Sequence, residues 1–241
     1  MSGRLIAVIN PNTTVSMTRT VVEAATAVAG PLTELIGITP LVGPATVETN
    51  ADEVAGASAV LREIIHAENG PVTPDGYVIA CFGDTGLAAA KESARGPVVG
   101  MTQAALMTAA LVAEHFCIIT MPRRTLAMSQ RVVRDLGLEH RCTVRAVDED
   151  VAAVADGSLH LLEQFLMQAS AAVDDDHSEA IILGCAGLAD LLVPLREALG
   201  VPVIEGVAAA VGQVEALLAQ GLSTSRANTF APVPSTTRFP R

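Results

Sequence analysis

Two cysteines carry the reactive chemistry of this 241-residue chain. Cys81 stands in YVIACFGDTGLAAA, which starts at Tyr77, and Cys185 in AIILGCAGLADLL, which starts at Ala180. In each case a β-branched apolar run ends near the cysteine and is followed by Gly and a helix. A lone cysteine at the end of an apolar strand is usually a small buried hydrophobe, and Cys117 in FCIIT and Cys142 in RCTVRAV are read that way. Cys81 and Cys185 differ because they occupy equivalent places in two similar stretches. A thiol at a helix N-terminus has a lowered pKa, so one of the pair is expected as thiolate base and the other as thiol acid. An acid and a base on opposite faces of one carbon invert its configuration without a cofactor.

The stretches that must position these thiols are repeated as well. LIAVINPNTT, Leu5 to Thr14, parallels FCIITMPRRT, Phe116 to Thr125, with Pro11 matching Pro122 and Thr14 matching Thr125. RGPVVG (Arg95 to Gly100) follows Cys81 and LGVPVIEG (Leu199 to Gly206) follows Cys185, each leading into an Ala-rich helix. Strands are expected at Leu5–Ile9, Leu35–Thr39, Tyr77–Ala80, Val98–Val99, Phe116–Thr120, Thr143–Val147, Ala180–Leu183 and Val203–Ile204, with a helix near Met17–Ala29. Alternating β and α segments imply parallel sheets. The expected fold is therefore α/β: two similar three-layer αβα halves related by a pseudo-twofold duplication, with the active-site cleft between them. Residues 1–100 with a returning segment 206–241 form the first half, and residues 101–205 the second.

Ligands of open parallel sheets bind beyond the carboxyl ends of the strands. The side-chain amides of Asn10 and Asn12 and the hydroxyls of Thr13 and Thr14, set around Pro11 in NPNTT, suit an amide or imide ligand, with a turn and helix cap as the structural reading of the same residues. Phe82, Gly83, Asp84 and Thr85, and likewise Ala186 and Gly187, offer backbone N–H groups to an enolate-like oxygen, while Asp84 or Thr85 can also cap the following helix. Met121 and Arg123 stand in the matching turn of the second half.

Composition narrows the partners. A net charge of -11 and a lone lysine, Lys91, expected on an exposed face, argue against nucleic acid and against an anionic membrane. No apolar run reaches membrane-span length, and the four dispersed cysteines lack zinc spacing, so reduced thiols and a cytoplasmic location are expected. The acidic run Asp174 to His177 reads as a solvated turn. No metal site, dinucleotide fingerprint or GxSxG elbow is present, and no cofactor is expected.

With VINPNTT, ACFGDTGL, GCAGLAD and GVPVIEGV in this order, the chain resembles the aspartate/glutamate racemase superfamily, and within it the hydantoin and allantoin racemase branch. The resemblance implies catalytic Cys81 and Cys185, a 5-monosubstituted hydantoin or related ureide as substrate, and a homo-oligomer. Free amino-acid racemases of the superfamily carry Asn-Thr and Thr-His after their cysteines, where this chain has Phe82-Gly83 and Ala186-Gly187. Gln103 and Met107 also depart from the acidic residue and histidine usual in the branch. Against the racemase stand a one-thiol decarboxylase of the arylmalonate type, a cis–trans isomerase of the maleate type, and a two-domain binding protein without turnover.

Overall fold

The computed structural model describes residues 3–155 and 157–231. The first sequence repeat runs β1 (Arg4–Ile9), α1 (Val15–Thr26), β2 (Thr33–Ile38), α2 (Asn50–Glu68), β3 (Gly76–Ile79), α3 (Leu87–Ser93), β4 (Val98–Gly100) and α4 (Met101–Val112). The second runs β5 (Phe116–Thr120), α5 (Leu126–Asp135), β6 (Cys142–Ala146), α6 (Leu162–Asp174), β7 (Ala180–Gly184), α7 (Leu192–Leu199), β8 (Val203–Ile204) and α8 (Gly206–Ala219). All strands pair in parallel, in the orders β2-β1-β3-β4 and β6-β5-β7-β8, which are the same order twice.

Side chains alternate across each sheet with the two-residue period of a strand. Ile6, Val8 and Val78 pack with Val21 and Ala25 of α1 and Val207 and Val211 of α8, while Ala7, Ile9, Tyr77 and Ile79 pack with Val60 and Ile64 of α2 and Ala90 of α3. In the second sheet Cys117, Ile119, Ile181 and Leu183 meet Phe165 of α6 and Leu195 of α7. Phe116, Ile118 and Ile182 meet Leu106 of α4 and Val133 of α5. Both faces are covered, so the strands read as unbroken apolar runs. Cys117 is a core residue, as its sequence context suggests, and Cys142 lies partly exposed on the edge strand β6.

The halves exchange helices. α4 leaves the first sheet at β4 and packs on β7 of the second, whereas α8 leaves the second sheet at β8 and packs on β3 and β4 of the first. The two helices also pack on each other, joined by Gln213 Nε2 donating to the Ala104 carbonyl at 3.0 Å. These contacts support a division at residues 101 and 206, which we propose as the domain boundaries. Past α8 the chain stays with the first half: Ser223 Oγ donates to the Arg95 carbonyl at 2.7 Å, and Arg226 Nη1 to the carbonyls of Lys91 and Glu92. Residues 232–241 of the returning segment lie outside the described residues.

One surface expectation needs correction and another an addition. Lys91 is half-buried: its Nζ donates to Gln103 Oε1 at 3.2 Å, sits over the Phe230 ring, and has its pKa lowered by burial. In the acidic run, Asp176 receives both Nε and Nη2 of Arg145, at 2.7 and 2.8 Å, a two-point ion pair that fastens the end of α6 to β6.

Where α4 and α8 begin, a Cβ added to Gly206 would lie 2.7 Å from the Met101 carbonyl oxygen. No side chain fits there without separating the two helix starts. Gly206→Ala is expected to lower unfolding free energy by about 1–3 kcal/mol, the usual cost of overpacking, as a fall in the urea midpoint. An unchanged midpoint would show that the close approach is dispensable.

Candidate active site

Each cysteine is held by a local device that its sequence dictates. Cys81 opens the loop between β3 and α3, whose residues Gly83, Asp84 and Gly86 have φ of 108, 54 and 78°. Glycine takes these left-handed values freely. Asp84 is kept there because Oδ1 and Oδ2 each accept a backbone N–H of α4, from Thr102 and Gln103, both at 2.8 Å. Thr102 Oγ1 accepts the Gly83 N–H at 2.8 Å, and Thr85 Oγ1 donates to Cys81 Sγ at 3.5 Å. Cys185 follows β7 and precedes a short 3-10 turn, Ala186–Leu191, whose Gly187 N–H favours the thiolate. Gly184 before it lies so close to β5 that a Cβ would meet the Ile119 carbonyl at 2.7 Å.

Cys81 and Cys185 line one cavity between the halves. Asn10, Asn12, Phe82, Met121 and Ala186, all expected near the ligand, line it too. Its remaining walls are Met17, Val21, Val47, Ala80, Thr120, Thr125, Met128, Ser129, Val151 and Gly184, so no charged side chain is among them. Val47 and Val151 meet from opposite halves at the cavity, where Glu48 Oε1 accepts the Val151 N–H at 3.2 Å.

Pro11, Gly83, Asp84, Thr85 and Gly187 stand behind this lining, in the loops that shape it. Arg123 is exposed and does not reach the cavity, although it occupies the place of Asn12 in the repeat. Two of the backbone donors expected for an enolate oxygen are already engaged: Gly83 by Thr102 and Asp84 by the Cys81 carbonyl. Asp84 caps α4, not the helix that follows it, and α3 starts at Gly86 without a side-chain cap.

Asn12 offers a different donor. Asn12 Oδ1 accepts Asn10 Nδ2 and the Thr14 N–H, both at 2.9 Å, which fixes which end of the amide is oxygen. Its Nδ2 is thereby turned toward the thioether of Met17, 3.7 Å away, a weak acceptor. Asn12 is 6% exposed and lines the cavity, so this nearly unengaged N–H pair is a donor available to a bound carbonyl. Asn10 is spent on the loop, donating also to Thr18 Oγ1 at 3.0 Å.

The thiols do not have the lowered pKa expected of cysteines that open helices. Cys81 is followed by a loop and Cys185 by a short 3-10 turn, and burial dominates in both cases. It pushes Cys81 up to about 12, the Thr85 hydrogen bond opposing and the nearby Cys185, Asp84 and Glu53 adding to the rise. It pushes Cys185 up to about 11, the Gly187 N–H opposing and Glu48 and Glu205 adding. Among the described residues no group of His, Cys, Asp and Glu is arranged to hold a metal ion, and no helix is long and apolar enough to cross a membrane.

The arrangement matches known proteins along nearly its whole length. The family model described as Asp/Glu/Hydantoin racemase matches residues 6–214. A hydantoin racemase of Rhizobium meliloti is 42% identical over 227 residues, covering 94% of this chain and 93% of that protein. One from Pseudomonas sp. (strain NS671) is 36% identical, covering 93% and 90%. Among solved structures, the allantoin racemase from Klebsiella pneumoniae superposes with a TM-score of 0.94 at 41% identity, covering 99% of this chain and 97% of its own. With two equivalent parallel sheets facing one cavity and this similarity from end to end, the chain belongs to the Asp/Glu/hydantoin racemase family.

Proposed function

We propose that this racemase inverts C5 of 5-monosubstituted hydantoins by proton transfer between Cys81 and Cys185, without a cofactor. The observation that carries the reading is the pair of thiols on one cavity whose lining holds no charge. A free amino acid would bring an ammonium and a carboxylate into walls that offer neither a counter-ion, and burying unpaired charges is costly. A hydantoin ring is uncharged, and its amide edges suit Asn12, Thr125 and Ser129.

In the proposed step one thiolate takes the C5 proton, and the electron pair left on carbon spreads onto the C4 carbonyl as an enolate. Asn12 Nδ2 donates to that oxygen. The opposite thiol delivers its proton to the other face of C5, so the two sulfurs exchange protonation states and the substrate changes only in configuration. Because Asn12 has no amide counterpart at Arg123, the carbonyl is oriented by the first half alone.

The similarity to an allantoin racemase structure favours a second reading, in which the 5-substituent is a ureido group. Met17, Val21, Val47, Met128 and Val151 form an aliphatic wall that suits an alkyl or aryl substituent better. A panel of enantiopure hydantoins with methyl, isopropyl and benzyl groups, together with allantoin, aspartate and glutamate, separates the readings by loss of optical rotation. Decay is expected for the alkyl and aryl hydantoins and none for the amino acids; a clear preference for allantoin would replace the substrate assignment. We also carry forward a cytoplasmic homo-oligomer, with sedimentation velocity as the measure of its size.

Two further outcomes follow from the site. Asn12→Ala is expected to lower kcat/KM by about 100-fold, the effect of losing one donor to a developing oxyanion; an activity within twofold of the parent would remove Asn12 from the mechanism. Because both thiols are neutral below their raised pKa values, the thiolate fraction, and with it kcat/KM on a neutral hydantoin, should climb steadily from pH 7 to 9. A plateau already reached at pH 7 would show that a thiolate forms in the free enzyme.

A further inference from the structure

Behind the two thiols stand two carboxylates in matching positions, Glu205 buried and Asp84 half-buried. Asp84 accepts the second and third N–H groups of α4, from Thr102 and Gln103. Glu205 accepts the second and third N–H groups of α8, from Val207 at 2.9 Å and Ala208 at 2.7 Å. The helices are the exchanged pair, each leaving the strand next to a cysteine strand.

The two carboxylates reach these places by different routes. Glu205 immediately precedes its helix, whereas Asp84 comes from the cysteine loop, with α3 and β4 between it and the helix it caps. A hydroxyl or amide would satisfy a helix start without desolvating a charge. Yet Glu205 is 4% exposed, and burial raises the pKa of both groups, that of Asp84 to about 6. The same charge at the same place in both halves points to a need for the charge itself.

We propose that Asp84 and Glu205 are positioning residues that cancel the positive starts of α4 and α8 and so add to burial in keeping each thiol protonated. Two-base inversion needs one thiol and one thiolate at once; two thiolates leave no acid to deliver the second proton. A bare helix N-terminus favours a nearby thiolate. Filling both starts with carboxylates replaces that attraction with repulsion. The groups around Cys81 act in the same direction: Cys185 across the cavity, Asp84 in its own loop and Glu53 of α2, the last shared with Arg131 at 3.4 Å. Around Cys185 stand Glu48 and Glu205. Lys91 of α3 acts on Asp84 and partly offsets its charge.

This inference rests on the two-thiol reading for its purpose, but its test does not require turnover. Iodoacetamide alkylation of ligand-free protein, resolved by cysteine-containing peptide, is followed at pH 8 for the parent, Asp84→Asn, Asp84→Ser, Asp84→Glu, Glu205→Gln and Glu205→Asp. Losing one pKa unit gives about tenfold more thiolate, and the weaker nucleophilicity of a lower-pKa thiol takes back part of the gain. Asp84→Asn and Asp84→Ser should therefore alkylate Cys81 about three- to fivefold faster, and Glu205→Gln should do the same at Cys185. Each effect should be confined to its own thiol, and the charge-retaining variants should behave like the parent.

In the kinetics, the rise of kcat/KM with pH should move to lower pH in the same charge-removing variants and return to the parental range in Asp84→Glu. Unchanged alkylation in folded Asp84→Ser and Glu205→Gln would overturn the proposal. So would a uniform rise at Cys81, Cys142 and Cys185, which is the mark of loosened packing. If alkylation shifts as stated while no hydantoin is racemised, the charge effect stands and the proposed function falls.

Discussion

The exchange of α4 and α8 is the constraint on which the rest of this structure depends. Each helix starts at the carboxyl end of one sheet and buries its apolar face on the other, so neither half can turn away without exposing both faces. The starts meet where Gly206 lies against the Met101 carbonyl. Because β3 and β4 are neighbours, as are β7 and β8, fixing the helix starts also fixes the strand ends that carry Cys81 and Cys185. One cavity lined by both thiols follows from this packing.

That cavity is governed by desolvation. A helix terminus is worth about 0.3–1 kcal/mol to a nearby charge, whereas a thiol moved from 9.0 to about 12, as for Cys81, is disfavoured as thiolate by about 4 kcal/mol. Burial therefore outweighs any dipole, and the acidic groups around the site act with it. The result is a cavity lined by two neutral sulfurs and no charged side chain. The proposed thiol pair differs in this from cysteine enzymes whose nucleophile is a standing thiolate.

Much of this was legible because a duplicated chain reports its own geometry. Matching the run before Cys81 with the run before Cys185 places both at strand ends, and the strands begin and end within a residue or two of their expected positions. What the repeat conceals is its own breaks. Asn12 and Arg123 align, yet Asn12 is held inward by Asn10 and Thr14 while Arg123 faces solvent. Val47 and Val151 sit in segments with no periodic signal and reach the cavity only through the meeting of the halves. Asp84 looks local to its loop, and its true partners are the N–H groups of Thr102 and Gln103, which no spacing rule connects to it. Thr125, paired with Thr14 by alignment, does line the cavity, and its hydroxyl is tied to the Pro122 carbonyl at 2.8 Å.

The central claim is that one thiol serves each face of one carbon, and solvent isotope exchange with single-cysteine variants tests it most directly. In heavy water, Cys81→Ser and Cys185→Ser are each expected to lose racemisation of an enantiopure 5-substituted hydantoin, because a serine hydroxyl is too weak an acid or base near neutral pH. Each variant should retain deuterium exchange at C5 for one enantiomer only, with the favoured enantiomer reversed between them, as followed by proton NMR and chiral chromatography. Racemisation at the parental rate in both variants, or exchange of both enantiomers by one remaining thiol, would contradict the account.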